Sequence, residues 1–192
     1  MLKILFLGSI LLLFLAAPFA DACVGKVLRI GTVGSPDGVL LSEMLAIMIN
    51  ERTGSTVNVK VFAGTAELYD AVKSQQVDII IENTTTAMQV LNKHTTAGPN
   101  AAYDLVKASY EKEKGLIWLK PLGTLNGSDG QSIAAPVMTV ETLTNFPALP
   151  KVINKLAGVL TDETYARMTR SVSSGEKPKT VAREVLKSKK LI

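Results

Sequence analysis

Val77-Asp-Ile-Ile-Ile-Glu-Asn-Thr-Thr-Thr-Ala87 is the stretch on which the fold turns. Val77 and Ile79, Ile80 and Ile81 make an apolar run too short for a helix, of the kind a parallel sheet buries on both faces. The run stops at Glu82-Asn83-Thr84-Thr85-Thr86, and Ala87, Met88, Val90 and Leu91 then start a helix. A buried strand that ends in polar residues and passes directly into a helix is part of a strand–helix–strand unit.

The same theme occurs on both sides. Lys26–Val33 is rich in β-branched residues and runs into the turn Gly34-Ser35-Pro36-Asp37-Gly38. Val39–Asn50 follows with Leu41, Met44, Leu45, Met48 and Ile49 at helical spacing, which predicts one wide apolar face, and Gly54 stands at the C-cap. Thr56–Phe62 alternates as a strand. Gly64-Thr65 then opens a helix that carries Leu68, Tyr69 and Val72 on one side. Downstream, Asn100–Lys114 reads as an amphipathic helix with Tyr103, Val106 and Tyr110 in line, and Gly115–Leu119 as a further strand. Pro121–Gln131 is the most loop-like stretch, and Ser132–Val137 is a possible strand. Three short helical segments end the chain. Pro147 and Pro150 punctuate the first, Thr161 caps the second with Tyr165, Met168 and Val172 on one face, and Pro178 begins the third with Val181, Ala182, Val185 and Leu186. The alternation predicts an α/β domain with a mainly parallel sheet.

In such sheets the ligand crevice lies beyond the carboxyl ends of the strands. Here those ends are Val33–Asp37, Phe62–Thr65 and Ile81–Thr86, each leading into a helix start. Free N–H groups and a partial positive charge at helix starts suit a carboxylate or phosphate, although capping alone asks for the same residue types.

The first residues carry a different signal. Lys3 is followed by an almost unbroken apolar run, Ile4–Ala17, and then by small residues in Ala20-Asp21-Ala22. The run is short for a membrane span, which needs about 20 residues, and its layout is that of a secretory signal peptide, residues 1–22. Cleavage after Ala22 leaves one α/β domain, residues 23–192, in the periplasm or cell envelope. An uncleaved anchor is one alternative. Lipidation of Cys23 is another, with Asp21 two residues before it counting against it. The single Cys excludes an intrachain disulfide and a Cys-based zinc site.

The net charge of +4 is uneven: Lys151–Ile192 carries ten Lys and Arg against four Asp and Glu, while 23–150 carries ten against twelve. Aromatic residues make up only 5% of the chain, and together with export this argues against nucleic acid as a partner. Solvated faces of terminal helices explain the basic tail, and attraction to an anionic membrane surface is the sharper alternative. Catalysis finds few tools. His94 is the only histidine, sits in a polar segment after a helix, and has no nucleophile motif beside it. The glycines at 31, 34 and 38 lack dinucleotide-motif spacing, and no Walker-type loop occurs. The chain reads as a binder rather than an enzyme, with no metal and no cofactor.

Several stretches match a known pattern in order and spacing. Ile30-Gly-Thr-Val-Gly-Ser-Pro-Asp37 is similar to "IGSKNFTE", Ala63-Gly-Thr65 to "GGT", and Val77–Ala87 to "IDLYPEYTGTA". Tyr110-Glu-Lys-Glu-Lys-Gly-Leu-Ile-Trp-Leu-Lys-Pro121, Phe146–Met168 and Val181–Ile192 continue the likeness. The chain thus resembles the substrate-binding proteins of osmoprotectant ABC transporters, which capture glycine betaine, choline or carnitine. The resemblance implies one lobe of a periplasmic-binding-protein-like fold, with a transporter permease and a small quaternary ammonium or amino-acid-like solute as partners. It places a binding surface at Ser35, Asp37, Gly64, Thr65, Glu82, Asn83, Thr84 and Thr86.

Two departures accompany it. The family folds as two lobes, and this chain lacks what looks like the second, inserted near Asn126–Gln131. The cage tyrosine of "EYTGT" corresponds to Asn83, and the lysine of "SKNFTE" to Val33. The ligand site is therefore reduced or altered, and a module that uses the open lobe for a protein partner or for self-association is the alternative.

Overall fold

The computed structural model describes residues 27–127 and 130–192; the signal-peptide stretch and Cys23 lie outside them. Leu28–Val33 forms β1, and Ser35 then turns the chain into α1, Pro36–Thr53, by accepting a hydrogen bond from the Gly38 N–H. Gly54 ends α1 in the left-handed conformation (φ 70°), which glycine adopts without strain. Val57–Phe62 (β2), Thr65–Lys73 (α2), Ile79–Asn83 (β3) and Thr84–Val90 (α3) follow, and the long helix α4, Pro99–Lys114, leads to β4, Leu116–Trp118.

The sheet order is β2-β1-β3-β6-β4, where β6 is Gly130–Thr139. β1 pairs in parallel with β2 and with β3. β6 runs antiparallel to β3, to β4 and to β5, Gly123–Gly127. β4 and β5 therefore share the direction of β1–β3, and β6 alone runs against the other described strands. The sheet is mixed, with mostly co-directional strands and helices on both faces.

Two cores fill the space between sheet and helices, and successive strand residues alternate between them. Leu28, Ile30, Ile79 and Met138 face a core shared with α1 and the carboxyl-terminal helices. Val77, Ile80, Val137, Leu116 and Trp118 face a second core under α2 and α4. Burial on both sides explains why Ile79, Ile80 and Ile81 of β3 are apolar without alternation.

The carboxyl-terminal part comprises α5 (Val140–Asn145), α6 (Leu149–Ile153), a 3-10 turn (Asn154–Leu156), α7 (Asp162–Ser173) and α8 (Pro178–Ser188). Val181, Ala182, Val185 and Leu186 of α8 are buried, as their spacing predicts.

Three local expectations are corrected. Pro121–Gln131 is not a loop: Gly127 pairs with Gly130, so β5 and β6 form a hairpin with only two residues between them. Helix α3 starts at Thr84 rather than Ala87, because the Asn83 side chain caps it by accepting from the Thr86 N–H at 2.9 Å. Helix α1 is buried on nearly all sides, with every residue from Leu40 to Ile49 buried except Glu43, because it lies between the sheet and α8.

Gly123 lies at a close crossing of the chain. Its φ is +155°, and a Cβ there would stand 2.0 Å from the Leu160 carbonyl oxygen. The Leu160 N–H donates to the Leu122 carbonyl at 2.9 Å, which ties the carboxyl-terminal part to β5.

Candidate functional site

A cavity of about 300 Å³ opens at the carboxyl ends of β1 and β3, against the starts of α1, α2 and α3. Six of the eight residues expected at a binding surface line it: Ser35, Asp37, Thr65, Glu82, Asn83 and Thr86. Gly64 and Thr84 do not. Gly64 is the N-cap position of α2 and faces open space. Thr84 is 2% exposed, and its hydroxyl accepts from the Ile133 N–H at 3.1 Å. The remaining walls come from Thr32, Val33 and Gly38, from the apolar side chains Leu41, Leu68, Ile81 and Leu125, and from Ala134.

Some of these polar residues are already occupied by the fold. Asn83 Oδ1 accepts from the Thr86 N–H and from the Ser132 hydroxyl (3.1 Å), and Asn83 Nδ2 donates to Thr86 Oγ1 (3.1 Å). Ser132 also accepts from the Thr85 N–H at 3.2 Å, so one hydroxyl of β6 fixes the start of α3. The Ser35 hydroxyl caps α1. Helix α2 differs, because no side chain caps its first turn. Its start, at Thr65, borders the cavity with the positive end of the helix dipole, and Glu67 in the same turn accepts from the Ala63 N–H at 3.0 Å.

The two carboxylates sit in different surroundings. Asp37 is half-buried at the start of α1 and accepts from the Tyr165 hydroxyl of α7 at 2.5 Å. Burial and this bond to Asp37 raise the pKa of Tyr165. Glu82 is only 6% exposed. Its Oε2 accepts from the Tyr69 hydroxyl at 2.6 Å and its Oε1 from the Asn83 N–H at 2.8 Å. Because Tyr69 spends its proton on Glu82, its 2.6 Å contact with Tyr110 is one in which Tyr110 donates. Burial pushes the Glu82 carboxyl from 4.5 up to about 7, against the pull of its two donors. The Tyr69 and Tyr110 hydroxyls are raised in turn, first by burial and then by the neighbouring Glu82 charge.

Tyr69, Tyr110 and Tyr165 were legible in the sequence only as members of apolar helix faces. The usable signal was that a tyrosine on such a face still needs a partner for its O–H. Asp78, close to Glu82 in sequence, is elsewhere in the fold: it takes a two-pronged contact from Arg29, with Nη2 at 2.7 Å and Nε at 3.0 Å. His94 is exposed beside a wider groove of about 630 Å³ on α3 and α4.

No aromatic ring and no Lys, Arg or His lines the strand-end cavity among the described residues. Val33 occupies the wall where the resemblance places a lysine, and Asn83 stands where it places a tyrosine. The aromatic rings gather behind Glu82 instead. Trp118 packs edge-on to Tyr110 (5.5 Å) and to Tyr103 (5.8 Å), and Tyr110 to Tyr69 (6.3 Å).

A mixed sheet with mostly co-directional strands, helices on both faces and a cleft at the strand ends defines a lobe of the periplasmic-binding-protein-like class. Residues 26–128, more than half of the chain, match the substrate binding domain of the ABC-type glycine betaine transport system, and the chain belongs to that family. It is a family of solute-binding proteins that serve permeases, not a class of enzymes. A solved glycine betaine/carnitine/choline ABC transporter structure is similar at 14% identity and a TM-score of 0.77, over 86% of this chain and 98% of that one. Apo YehZ from Escherichia coli is similar at 15% identity and 0.75, over 88% and 100%. Lactococcal OpuAC, closed on glycine betaine, aligns at 11% identity and 0.52, over 86% and 96%. At these identities the structures speak for the fold. Among the described residues no helix is long and apolar enough to cross a membrane.

Proposed function

We propose that this chain is an exported solute-binding component of an ABC transporter, and that a small quaternary ammonium or amino-acid-like solute, carrying a carboxylate and an ammonium, binds in the strand-end cavity. The observation that carries the reading is the pairing, in one cavity, of the uncapped start of α2 with the buried carboxylate of Glu82. The helix start suits the carboxylate of the solute. Glu82 and Asp37 suit its ammonium. The site is altered from an aromatic cage, because attraction to ring faces has no ring to act through at this cavity among the described residues.

Thermal shift of the chain with glycine betaine, choline, carnitine and proline tests the reading. A ligand at about 100 times its Kd adds roughly 2.7 kcal/mol, or about 5–11 °C for a chain of this size. Thr65→Val combined with Thr86→Val should abolish that shift while the unliganded melting point stays within about 3 °C. A flat response across the panel would count against solute binding.

A second reading has its own observation. Only two residues separate β5 from β6, so the position where the resemblance expects a second lobe holds a hairpin. A lobe without its counterpart would face a protein partner or a second copy of itself. Sedimentation across concentrations separates the two readings, since a monomer with a ligand-dependent melting point favours the first.

A further inference from the structure

We propose that the strand-end cavity takes an ammonium that carries at least one N–H and discriminates against a quaternary one; this rests on the solute-binding reading and names the ligand within it.

A quaternary ammonium has no hydrogen to donate. Its methyl shell is held by the faces of aromatic rings, and none lines this cavity among the described residues. What lines it instead are Glu82, Asp37, Thr65 and Thr86, residues that carry acceptor oxygens, set among aliphatic walls. Neither carboxylate belongs to an ion pair among the described residues, where Arg29–Asp78, Lys93–Glu113 and Arg183–Glu51 are the pairs. The cavity thus holds two carboxylate residues and, among the described residues, no cation.

Glu82 is held in place from behind. Tyr110 donates to Tyr69, Tyr69 donates to Oε2, and the Asn83 N–H donates to Oε1. A carboxylate offers about four acceptor positions, so each oxygen keeps one beyond its present donor. A donor arriving from the cavity meets a carboxylate that is already oriented, which lowers the ordering cost of binding. An N–H-bearing ammonium supplies both the missing positive charge and the donor, in a charge-assisted hydrogen bond. Full methylation keeps the charge but removes the donor, and moves the nitrogen away from the oxygens by the width of a methyl group.

Isothermal titration of the chain with glycine, N-methylglycine, N,N-dimethylglycine and glycine betaine varies the donors and keeps the carboxylate. Proline beside its N,N-dimethyl betaine is a second series on a larger frame. The titrations are run at pH 8, above the value of about 7 to which burial pushes Glu82. The expected result is a loss of about tenfold or more at the step that removes the last N–H, the worth of one hydrogen bond to a charged group. Glu82→Gln, checked for folding by its melting curve, should flatten that step, and Asp37→Asn should weaken it. Betaines that bind as tightly as their N–H-bearing partners overturn this inference and leave the solute-binding reading standing. No heat and no thermal shift from any member overturn both.

Discussion

Glu82→Gln should remove the loss of stability that accompanies ionisation of Glu82. In the folded chain Glu82 titrates near 7, against 4.5 when it is free in water. At about 1.4 kcal/mol per pH unit, ionising this buried group costs the folded chain about 3 kcal/mol relative to the unfolded one. The folded state holds the proton longer, so the contribution is fully present below pH 4.5, is lost as pH rises towards 7, and levels off above that. Gln keeps the size of the side chain and an acceptor for the Tyr69 hydroxyl but has nothing to ionise. Thermal melts of both proteins from pH 4 to 8.5 give the difference in Tm directly. For a chain of this length each kcal/mol is worth about 2–4 °C, so the variant should gain about 6–12 °C on wild type between pH 4 and pH 8. A difference that stays within about 2 °C over that range would refute the assignment of Glu82 as a desolvated carboxyl.

Tyr69→Phe removes the donor to Oε2, which now favours the ionised form, so the midpoint of the same pH-dependent loss should move above its wild-type position; a downward move would contradict the geometry. Gly123→Ala puts a Cβ 2.0 Å from the Leu160 carbonyl oxygen, and its loss should exceed about 3 kcal/mol by denaturant melts, whereas Gly64→Ala, with nothing within 4 Å, should leave stability within about 1 kcal/mol. Ser132→Ala strips the hydroxyl that joins Asn83 and the Thr85 N–H and should cost about 1–3 kcal/mol in the same melts, together with faster amide exchange in the first turn of α3.

The fold was legible wherever burial is local to an element. The apolar run Ile79–Ile81 announced a strand covered on both faces, and the polar ends at Val33–Asp37, Phe62–Thr65 and Ile81–Thr86 announced the cleft. The β5–β6 hairpin was not legible, because Gly123–Gly127 pairs through its backbone and its side chains resemble those of a loop. Asn83 reads as a binding-surface residue, and the structure shows its side chain engaged in starting α3. The all-round burial of α1 depends on α8 lying over it, a contact between distant parts of the chain that periodicity within α1 does not report. At the site, sequence located the strand-end residues. It could not show that Glu82 is backed by two tyrosines, or that Tyr165 reaches Asp37, because those contacts join separate elements.

The claim at the centre of this account is that a small solute occupies the cavity at the ends of β1 and β3. Amide chemical-shift mapping of the isotope-labelled chain during titration with N,N-dimethylglycine tests it most directly. The account predicts saturable shifts concentrated at residues 33–38, 64–68 and 82–86. Shifts centred instead on the groove around Lys93 and His94, or none at millimolar ligand, would contradict it.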